Sequence, residues 1–338
     1  MSFFPEPAAL ELGPGEAAAA GAGGAGMETD LVVLFEHPEW QKPLWAALDR
    51  RGVRYAAFDL KQTAFDPDAL PRAPLYFNQA SPSAYVRGNT RAVPLALSLM
   101  RSLELGGARV LNGSRAFLLE LSKSAQAALL RKVGIPHPRS LAFNDPEAAL
   151  AQWTGGWPAL LKPEQGGSGA RMFLLHSPDE LRKLLREQPS LWLPDNLLLL
   201  QEYFPVDAAQ GIVRMEFLGG KLLYAMRVVS HGAFNLCPSE ACNPEDGGES
   251  HCEVPAARPV EFYPYGAVPA VAVEMGERIM AAGGLDVGGI EYLEAADGRN
   301  IFYDVNANSN LRAPIGQAFG FDPFERVVDY LVTQIKVL

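Results

Sequence analysis

Two acidic residues near the C-terminal end are spaced so that a β-hairpin would bring them together. The runs Gly289 to Glu294 and Ile301 to Asn306 each read as a strand, and the turn signal Asp297-Gly298 stands between them. A hairpin with a loop of those two residues sets Glu291 directly opposite Asp304. The pattern therefore predicts a facing pair of carboxylates.

A facing carboxylate pair requires positive charge between its members. Carboxylates about 5 Å apart repel each other across a strand pair, and the period of two along a strand puts the amide of Asn306 on the face of Asp304. These are hard oxygen ligands of the kind that Mg2+ uses when it bridges phosphates. Two alternatives stay open: the acids can belong to an exposed polar face, and a single bulge would move Glu291 out of opposition. Tyr303 and Phe302 are assigned to packing.

A glycine-rich loop in the middle of the chain has the composition of a phosphate cover. It begins at Glu164 between two strand-like runs, and Lys162 precedes it. A Walker A motif is excluded, because that motif places its lysine after the glycines and a helix behind them. Backbone N–H groups of such a loop can approach phosphate oxygens, with Lys162 and Arg171 supplying positive charge, although a simple hairpin turn has the same composition. The candidate cover residues are Gly166, Gly167, Ser168 and Gly169.

Polar and aromatic residues follow the apolar run Leu197 to Leu200. Backbone groups at a strand end can hydrogen-bond the edge of an adenine, and aromatic side chains can line its pocket. The candidates are Gln201, Glu202, Tyr203 and Phe204. Lys123 lies on a helix upstream, where a solvated helix lysine is the alternative to a phosphate ligand.

The elements that must position these residues begin with an α/β domain. Residues 1–28 are rich in Ala, Gly, Pro and Glu and are predicted to be a disordered tail. Residues 29–113 then alternate strand-like and helix-like runs, which predicts a parallel sheet with helices. The strands are Leu31 to Phe35, Tyr55 to Phe58, Ala73 to Asn78 and Arg109 to Leu111, and the helices are Pro43 to Arg51 and Arg91 to Leu105.

The rest of the chain divides into a central part, 114–200, which carries the glycine-rich loop, and a C-terminal part, 201–338, which carries the acidic pair. Apolar residues recur at helical spacing from Ser114 to Lys132, and Gly134 ends that predicted helix. Further helices are predicted over Pro178 to Glu187, Val271 to Ala282 and Pro323 to Ile335, with a buried strand at Leu197 to Gln201.

Composition excludes several classes of protein. The formal net charge of −10 argues against the basic surface of a nucleic-acid binder. Three cysteines fit a reducing cytoplasm better than a disulfide framework, and neither a signal peptide nor a membrane span is found. A soluble cytoplasmic protein with no membrane or nucleic-acid partner is expected, and homo-oligomerisation stays open. A zinc site in the segment Cys237 to Cys252 is weighed against a substrate-covering loop, which is favoured.

Taken in order, the motifs resemble the ATP-grasp superfamily. They are Ser122-Lys123-Ser124, Leu161-Lys162-Pro163 with its glycine-rich loop, Gln201-Glu202-Tyr203-Phe204, and Glu291 followed by Asp304-Val305-Asn306. The strand pair that contains Arg214 and Arg227 is similar to that of the ribosomal-modification-type, or RimK-like, glutamate ligases. The resemblance implies an ATP-grasp fold in which a parallel α/β domain precedes two α+β subdomains that enclose the nucleotide.

The resemblance also implies roles. Lys123 and Lys162 would bind ATP phosphates under the glycine-rich lid, the 201–204 segment would contact adenine, and Asp207 would reach the ribose. Magnesium, or manganese in its place, would be held by Glu291, Asp304 and Asn306. The chain departs from the common pattern by exchanging Asp and Glu at the two acidic positions.

The implied reaction joins a small-molecule or peptide carboxylate to an amine. The carboxylate attacks the γ-phosphorus of ATP to give an acyl phosphate, and the amine then displaces phosphate. Magnesium, Lys162 and Arg227 would neutralise charge, or Arg214 and Arg227 would clamp a substrate carboxylate. Asn308 and Arg312 are further candidate substrate contacts, and Arg214 is counted with Lys162 and Arg227 among the catalytic candidates. A kinase of the same fold and a non-catalytic ATP-binding regulator are the alternatives.

Overall fold

The computed structural model describes residues 29–61, 63–70, 72–167, 169–230, 260–309 and 311–338. These residues form three β-sheets with helices packed against them, so the predicted α/β class is confirmed. The predicted tail, Ser168 and the whole cysteine-containing segment lie outside the described residues. Within the described part of the chain, no helix has the length and apolarity that a bilayer crossing requires.

The first sheet is parallel, as the alternating pattern predicts, with the strand order β2-β1-β3-β4. Every residue of its central strand β1 is buried, and a strand buried on both faces needs cover on both sides. Helix α1 packs on the face of Leu31 and Val33, and helix α2 packs on the face of Val32 and Leu34. The elements are β1 Leu31–Phe35, α1 Pro38–Arg50, β2 Tyr55–Asp59, β3 Leu75–Gln79, α2 Ala92–Leu105 and β4 Arg109–Leu111.

Two helices, α3 Ser114–Leu121 and α4 Lys123–Lys132, stand where the apolar spacing predicts one. Ser122 breaks the helix with extended backbone angles (φ −128°, ψ 105°), and its hydroxyl accepts a hydrogen bond from the N–H of Ala125, which caps α4. The prediction of one continuous helix is wrong, because the backbone leaves the helical region at Ser122 and a second helix starts there. Its consequence is that Lys123 begins a helix instead of lying inside one.

The second sheet is antiparallel, with the order β5-β8-β6-β7. Its apolar core is made only of residues between 141 and 200, among them Leu161, Leu181 and Leu200. The elements are β5 Ser140–Phe143, α5 Pro146–Gln152, β6 Ala159–Pro163, β7 Phe173–Leu175, α6 Pro178–Glu187 and β8 Leu198–Glu202.

The third sheet is also antiparallel, with the order β11-β10-β9-β12-β13. Helices α3, α4 and α7 pack on one of its faces around Met215, Phe217 and Ile290. The elements are β9 Ile212–Leu218, β10 Lys221–Val229, β11 Glu261–Pro264, α7 Ala270–Gly283, β12 Val287–Glu294, β13 Asn300–Asn306, α8 Ala313–Ala318 and α9 Pro323–Lys336.

The first and third sheets are joined through one shared core. Val287 of β12 and Val328 and Leu331 of α9 pack with residues of β1 and α1. Asn112, fully buried at the end of β4, fastens the two sheets further: its amide donates to the carbonyls of Val287 and Ala307 and accepts from the N–H groups of Asp286 and Val287.

The predicted domain bounds at 113 and 200 match the division into sheets but not the packing. Each sheet falls in one predicted part, except that β8 extends to Glu202. Helices α3 and α4, which the sequence assigns to the central part, pack against the third sheet instead. The bounds themselves stay a prediction.

Candidate active site

A cavity of about 530 Å³ opens where the three sheets meet. Most of the described residues that the sequence singles out lie on its wall, whereas Arg227 and Arg312 do not. The predicted residues on the wall are Lys123, Lys162, Gly166, Gly167, Gly169, Gln201, Glu202, Tyr203, Phe204, Asp207, Arg214, Glu291, Asp304, Asn306 and Asn308.

The acidic pair lies on the hairpin of β12 and β13, with Glu291 opposite Asp304 as predicted. The predicted two-residue loop is wrong, because three residues, 296–298, form it, with Gly298 at a left-handed φ of 82°. A loop of that length would by itself put the two acids on opposite faces. A β-bulge that leaves Tyr303 unpaired adds one residue to β13 and restores the facing pair.

Glu291 is buried and held by two donors. Arg214 donates from Nη1 to Oε1 at 2.8 Å, and the hydroxyl of Tyr303 donates to Oε2 at 2.9 Å. Burial raises the pKa of the Glu291 carboxyl, and the neighbouring Asp304 carboxylate raises it further. The bulge therefore brings Tyr303, which the sequence assigns to packing, into the site as a hydrogen-bond donor.

Arg214 lies between two carboxylates on the inner face of the third sheet. Its Nε donates to Glu216 at 2.6 Å, and the other oxygen of Glu216 accepts from the Ser309 hydroxyl. Burial alone would lower the pKa of Arg214, but Glu216 and Glu291 raise it instead. Gly289 makes room for the guanidinium, since a Cβ there would lie 2.2 Å from Nη2. Arg214 thus positions Glu291 and stays charged.

Asp304 forms an ion pair with Lys123, and its other oxygen accepts from the Asn306 amide at 3.0 Å. Burial alone would raise the pKa of Asp304, but the nearby Lys123 ammonium lowers it overall. Lys123 is only 9% exposed, so the alternative of a solvated helix lysine is wrong. The carboxylate of Glu164 accepts from the Ser124 N–H at 3.1 Å and so holds the start of α4 in place.

Lys162 projects from β6 into the same cavity and is 5% exposed. Burial lowers its pKa to about 8, and the positive charge of Lys123 lowers it too, while Asp304 and Glu291 act in the opposite direction. The two lysines and the two acids are therefore close enough to interact electrostatically. An anion entering between the lysines would relieve their repulsion.

The glycine-rich loop packs against the first domain. A Cβ at Gly167 would lie 2.7 Å from Cβ of Ser83, so only glycine allows this approach. Ser83 belongs to a short 3-10 turn, Pro82–Arg87, that also carries Tyr85. Arg171 turns away from the cavity, donates to the Leu193 carbonyl at 3.0 Å and stacks over the Tyr85 ring, so it does not supply the cationic charge proposed for it.

The 201–204 segment forms one end of the cavity together with apolar side chains that the sequence does not single out. Those side chains are Leu160, Met172, Leu174, Ile212 and Leu293. The side chain of Gln201 donates to the Ser140 hydroxyl at 2.8 Å, and Asp207 accepts from the N–H of Ala209 at 2.8 Å in a turn at the rim. An apolar slot with polar groups at its end suits an aromatic base.

Arg227 lies on the other face of the sheet from Arg214. A bulge in β10 between Leu222 and Tyr224 shifts the pairing by one residue and sets Arg227 opposite Val213. There it pairs with Glu294 at 2.8 Å and stacks on Tyr265. The prediction that Arg227 neutralises the reacting groups is therefore wrong. Without the bulge, Arg227 would lie on the same face as Arg214.

The two residues after β13 that are predicted to contact substrate, Asn308 and Arg312, lie in different places. Asn308 lies on the cavity wall and donates to the carbonyls of Gln79 and Ala80, at the carboxyl end of β3. Arg312 stands behind the wall, its guanidinium 3.3 Å from the centre of the Phe262 ring. Burial lowers its pKa to about 10, with Arg214 adding repulsion.

The donor set near the acidic pair fits a hard divalent cation. No group of three or more His, Cys, Asp or Glu side chains that could hold a metal occurs in the described ranges. Two carboxylates, Glu291 and Asp304, and the amide of Asn306 nevertheless share one wall, and oxygen-only sets completed by phosphate and water are those that Mg2+ uses.

Comparison with known proteins identifies the architecture. No family model matches the chain. Among solved structures, the RimK domain protein ATP-grasp from Sphaerobacter thermophilus covers 89% of this chain and 99% of its own with a TM-score of 0.65 at 19% identity. The chain has the ATP-grasp fold. The ATP-grasp ligase PsnB, in a complex with minimal precursor, Mg and ADP, covers 92% of this chain and 100% of its own with a TM-score of 0.62 at 19% identity.

The predicted resemblance to RimK-like ATP-grasp ligases is confirmed. A relative by sequence is the probable alpha-L-glutamate ligase of Haemophilus influenzae, which is 25% identical over 247 residues, or 72% of this chain and 74% of the relative. The match extends well beyond the individual motifs.

Proposed function

We propose that this ATP-grasp protein is an ATP-dependent ligase that joins a carboxylate to an amine. The observation that carries the proposal is that Lys123 and Lys162 meet the acidic pair Glu291 and Asp304 in one buried cavity under a glycine-rich loop. The lysines would bind the phosphates of ATP, and the acids would bind a divalent cation that accompanies those phosphates. Relatives of this fold that are named as ligases support the same reaction class.

ATP would lie along the cavity from its apolar slot to the acidic pair. The adenine would pack against Leu160 and Ile212 with its polar edge toward the 201–204 segment, and Asp207 at the rim would reach the ribose. The triphosphate then extends toward Lys162 and Lys123. Glu291, Asp304 and Asn306 would hold Mg2+, which would supply positive charge to the phosphates.

The residues of the chain lower the barrier by reducing charge repulsion. A carboxylate that attacks a triphosphate meets repulsion between like charges, and buried ammonium groups offset it more strongly than solvent does. Lys162 would bind the γ-phosphate, and Lys123 would exchange its partner Asp304 for a phosphate. Arg214 acts indirectly, because it holds Glu291 on the cavity wall, while its other carboxylate partner, Glu216, is fully buried.

Exclusion of water would come from the contact between Gly167 and Ser83. An acyl phosphate survives only where water is kept out, and the loop touches the first domain at this point. Closure therefore requires the Pro82–Arg87 turn to be in position.

We further infer an amino acid as the amine, because the curated relative is named as a probable alpha-L-glutamate ligase. The reaction would take place in the cytoplasm, where ATP is available and three cysteines stay reduced.

The test is the release of ADP and of inorganic phosphate from ATP in the presence of Mg2+ and a panel of carboxylates paired with amino acids. A ligase releases both in equal amounts, and only when both substrates are present. ADP without free phosphate would establish a kinase instead. Lys162→Met is the matched inactive variant, and Lys183→Met, on the helix α6 away from the cavity, is its control.

A further inference from the structure

Glu120, in the last turn of α3, is an acidic wall residue that the sequence does not single out. Its side chain is 3% exposed and lies on the cavity wall. One oxygen, Oε1, accepts from the N–H of Asn308 at 3.4 Å, a long hydrogen bond. The other oxygen, Oε2, is buried and has no hydrogen-bond partner among the residues that the structure describes.

The other buried acids near it have donors on both oxygens. Glu291 is held by Arg214 and Tyr303, and Asp304 by Lys123 and Asn306. Burial of a polar group without a partner is costly, so such groups are rare and need an explanation. Burial also raises the pKa of Glu120 to about 8, against the pull of Lys123, which indicates that the protein alone supplies too little positive charge there.

The position of Glu120 is next to the reacting groups. Lys123 and Asp304 both act on it electrostatically, which places it at the phosphate end of the cavity and not at the base end. Its partner Asn308 is bonded to the carboxyl end of β3, so Glu120 lies between the acidic hairpin and the first sheet. A group bound at Glu120 would lie beside the acyl phosphate.

We propose that Oε2 of Glu120 accepts a hydrogen bond from the nitrogen of the amine substrate and holds that nitrogen for attack. This inference rests on the proposed ligase function. A substrate carboxylate is a poor occupant because two carboxylates repel each other, whereas an amine or ammonium brings the missing donor and charge.

The step balances as follows. The nitrogen lone pair attacks the acyl carbon, and the C–N bond forms. The bond between that carbon and the bridging oxygen breaks, so its electron pair leaves with phosphate, and the proton released from nitrogen goes to the departing phosphate. Glu120 binds and orients the nitrogen in this step and is not consumed.

The experiment compares the full-length wild type with Glu120→Gln, Glu120→Asp and Glu277→Gln. Glu277 pairs with Lys221 on the surface and controls for the loss of one negative charge. With ATP, Mg2+ and the amino acid that gives the highest ADP release in the panel, the KM for that amino acid is measured. Hydroxylamine serves as a second amine probe, because it is small and uncharged at neutral pH and traps the acyl phosphate as a hydroxamate.

Loss of a hydrogen bond to a charged group predicts that Glu120→Gln raises the KM for the amino acid roughly 10- to 100-fold. Hydroxamate formation at saturating hydroxylamine should change less than about 3-fold, because the first half-reaction does not use Glu120. The KM for the amino acid in Glu120→Asp, which keeps the charge, should lie between the values for Glu120→Gln and the wild type. Thermal unfolding midpoints show that each variant is folded.

Two results would overturn the role of Glu120 but leave the ligase function standing. One is an unchanged KM for the amino acid in folded Glu120→Gln. The other is a loss of hydroxamate formation as large as the loss with the amino acid, which would mean that Glu120 contacts ATP or the carboxylate substrate. A wild type that releases no ADP with any pair overturns the ligase function, and the inference falls with it.

Discussion

Asn112→Ala tests whether the first and third sheets form one unit. The Asn112 side chain makes hydrogen bonds to the carbonyls of Val287 and Ala307 and to the N–H groups of Asp286 and Val287. Alanine leaves these four buried backbone groups without that partner. At about 1–3 kcal/mol for each unsatisfied group, with partial relaxation, the free energy of unfolding should fall by roughly 3–6 kcal/mol.

Backbone strain contributes to the same measurement and needs its own control. Asn112 has a left-handed φ of 50°, and alanine there costs about 1 kcal/mol whatever the side chain contacts. Asn196 has nearly the same φ, 59°, is exposed, and has no side-chain hydrogen bond to the described residues. Asn196→Ala therefore measures the cost of strain alone.

The assay is equilibrium unfolding in urea for the wild type and both variants. The difference between Asn112→Ala and Asn196→Ala gives the contribution of the buried amide. A difference below about 1 kcal/mol would refute the reasoning, since it would mean that the four groups find other partners at little cost.

Three further predictions concern the cavity. Lys162→Met should lower the rate of ADP release by about 100-fold or more while the protein stays folded, and a loss below about 10-fold would contradict its assignment to the γ-phosphate. Asp304→Asn should raise the Mg2+ concentration for half-maximal ADP release by about 10- to 100-fold, whereas Asp297→Asn in the exposed loop of the same hairpin should leave it unchanged. Burial raises the pKa of Glu120 from 4.5 to about 8, so its contribution to stability is fully present below pH 4.5 and is lost as the pH rises through 8. The unfolding free energy of Glu120→Gln minus that of the wild type should therefore increase from pH 5 to pH 8 by on the order of 2–5 kcal/mol, and a difference that does not change with pH would show that Glu120 titrates normally.

The sequence predicts the elements of this fold well because their signals are local. The buried β1 and the helix α6 appear within one or two residues of the predicted ends, since apolar runs, Pro and Ser mark them directly. The sequence does not reveal the break at Ser122, because apolar residues stand on both sides of it.

Bulges account for most of what the sequence misses at the site. The residue types place an Asp-Gly turn between two strands, but they do not fix the length of its loop or reveal the unpaired Tyr303. Those two irregularities offset each other, so Glu291 and Asp304 still face each other. The bulge in β10 has no such compensation, and Arg227 moves to the opposite face.

Glu120 could not be found from the sequence because its significance lies in what surrounds it. A glutamate on a helix between leucines has the pattern of an exposed position, and it is the packing of α3 against neighbouring helices and β13 that buries it. The order of the lysines, glycines and acids along the chain carries the family resemblance, whereas burial and missing partners are properties of the folded chain.

The separate core of the second sheet determines how the protein can exchange nucleotide. Since α9 packs on α1 and Asn112 forms hydrogen bonds to β12, the first and third sheets form one packed unit. The second sheet is connected to that unit by the segments 133–139 and 203–211. The first segment is partly fixed to the unit, because Ile135 lies in the core of the third sheet and the carbonyl of Pro136 accepts from the N–H of Phe302. Rotation about residues 137–139 and 203–211 would lift the glycine-rich loop from Ser83 and leave both cores intact, although it would break the hydrogen bonds between Glu164 and the start of α4. Product release is therefore expected to depend on the torsional freedom of the segments 137–139 and 203–211, and engineering of the turnover rate should begin there.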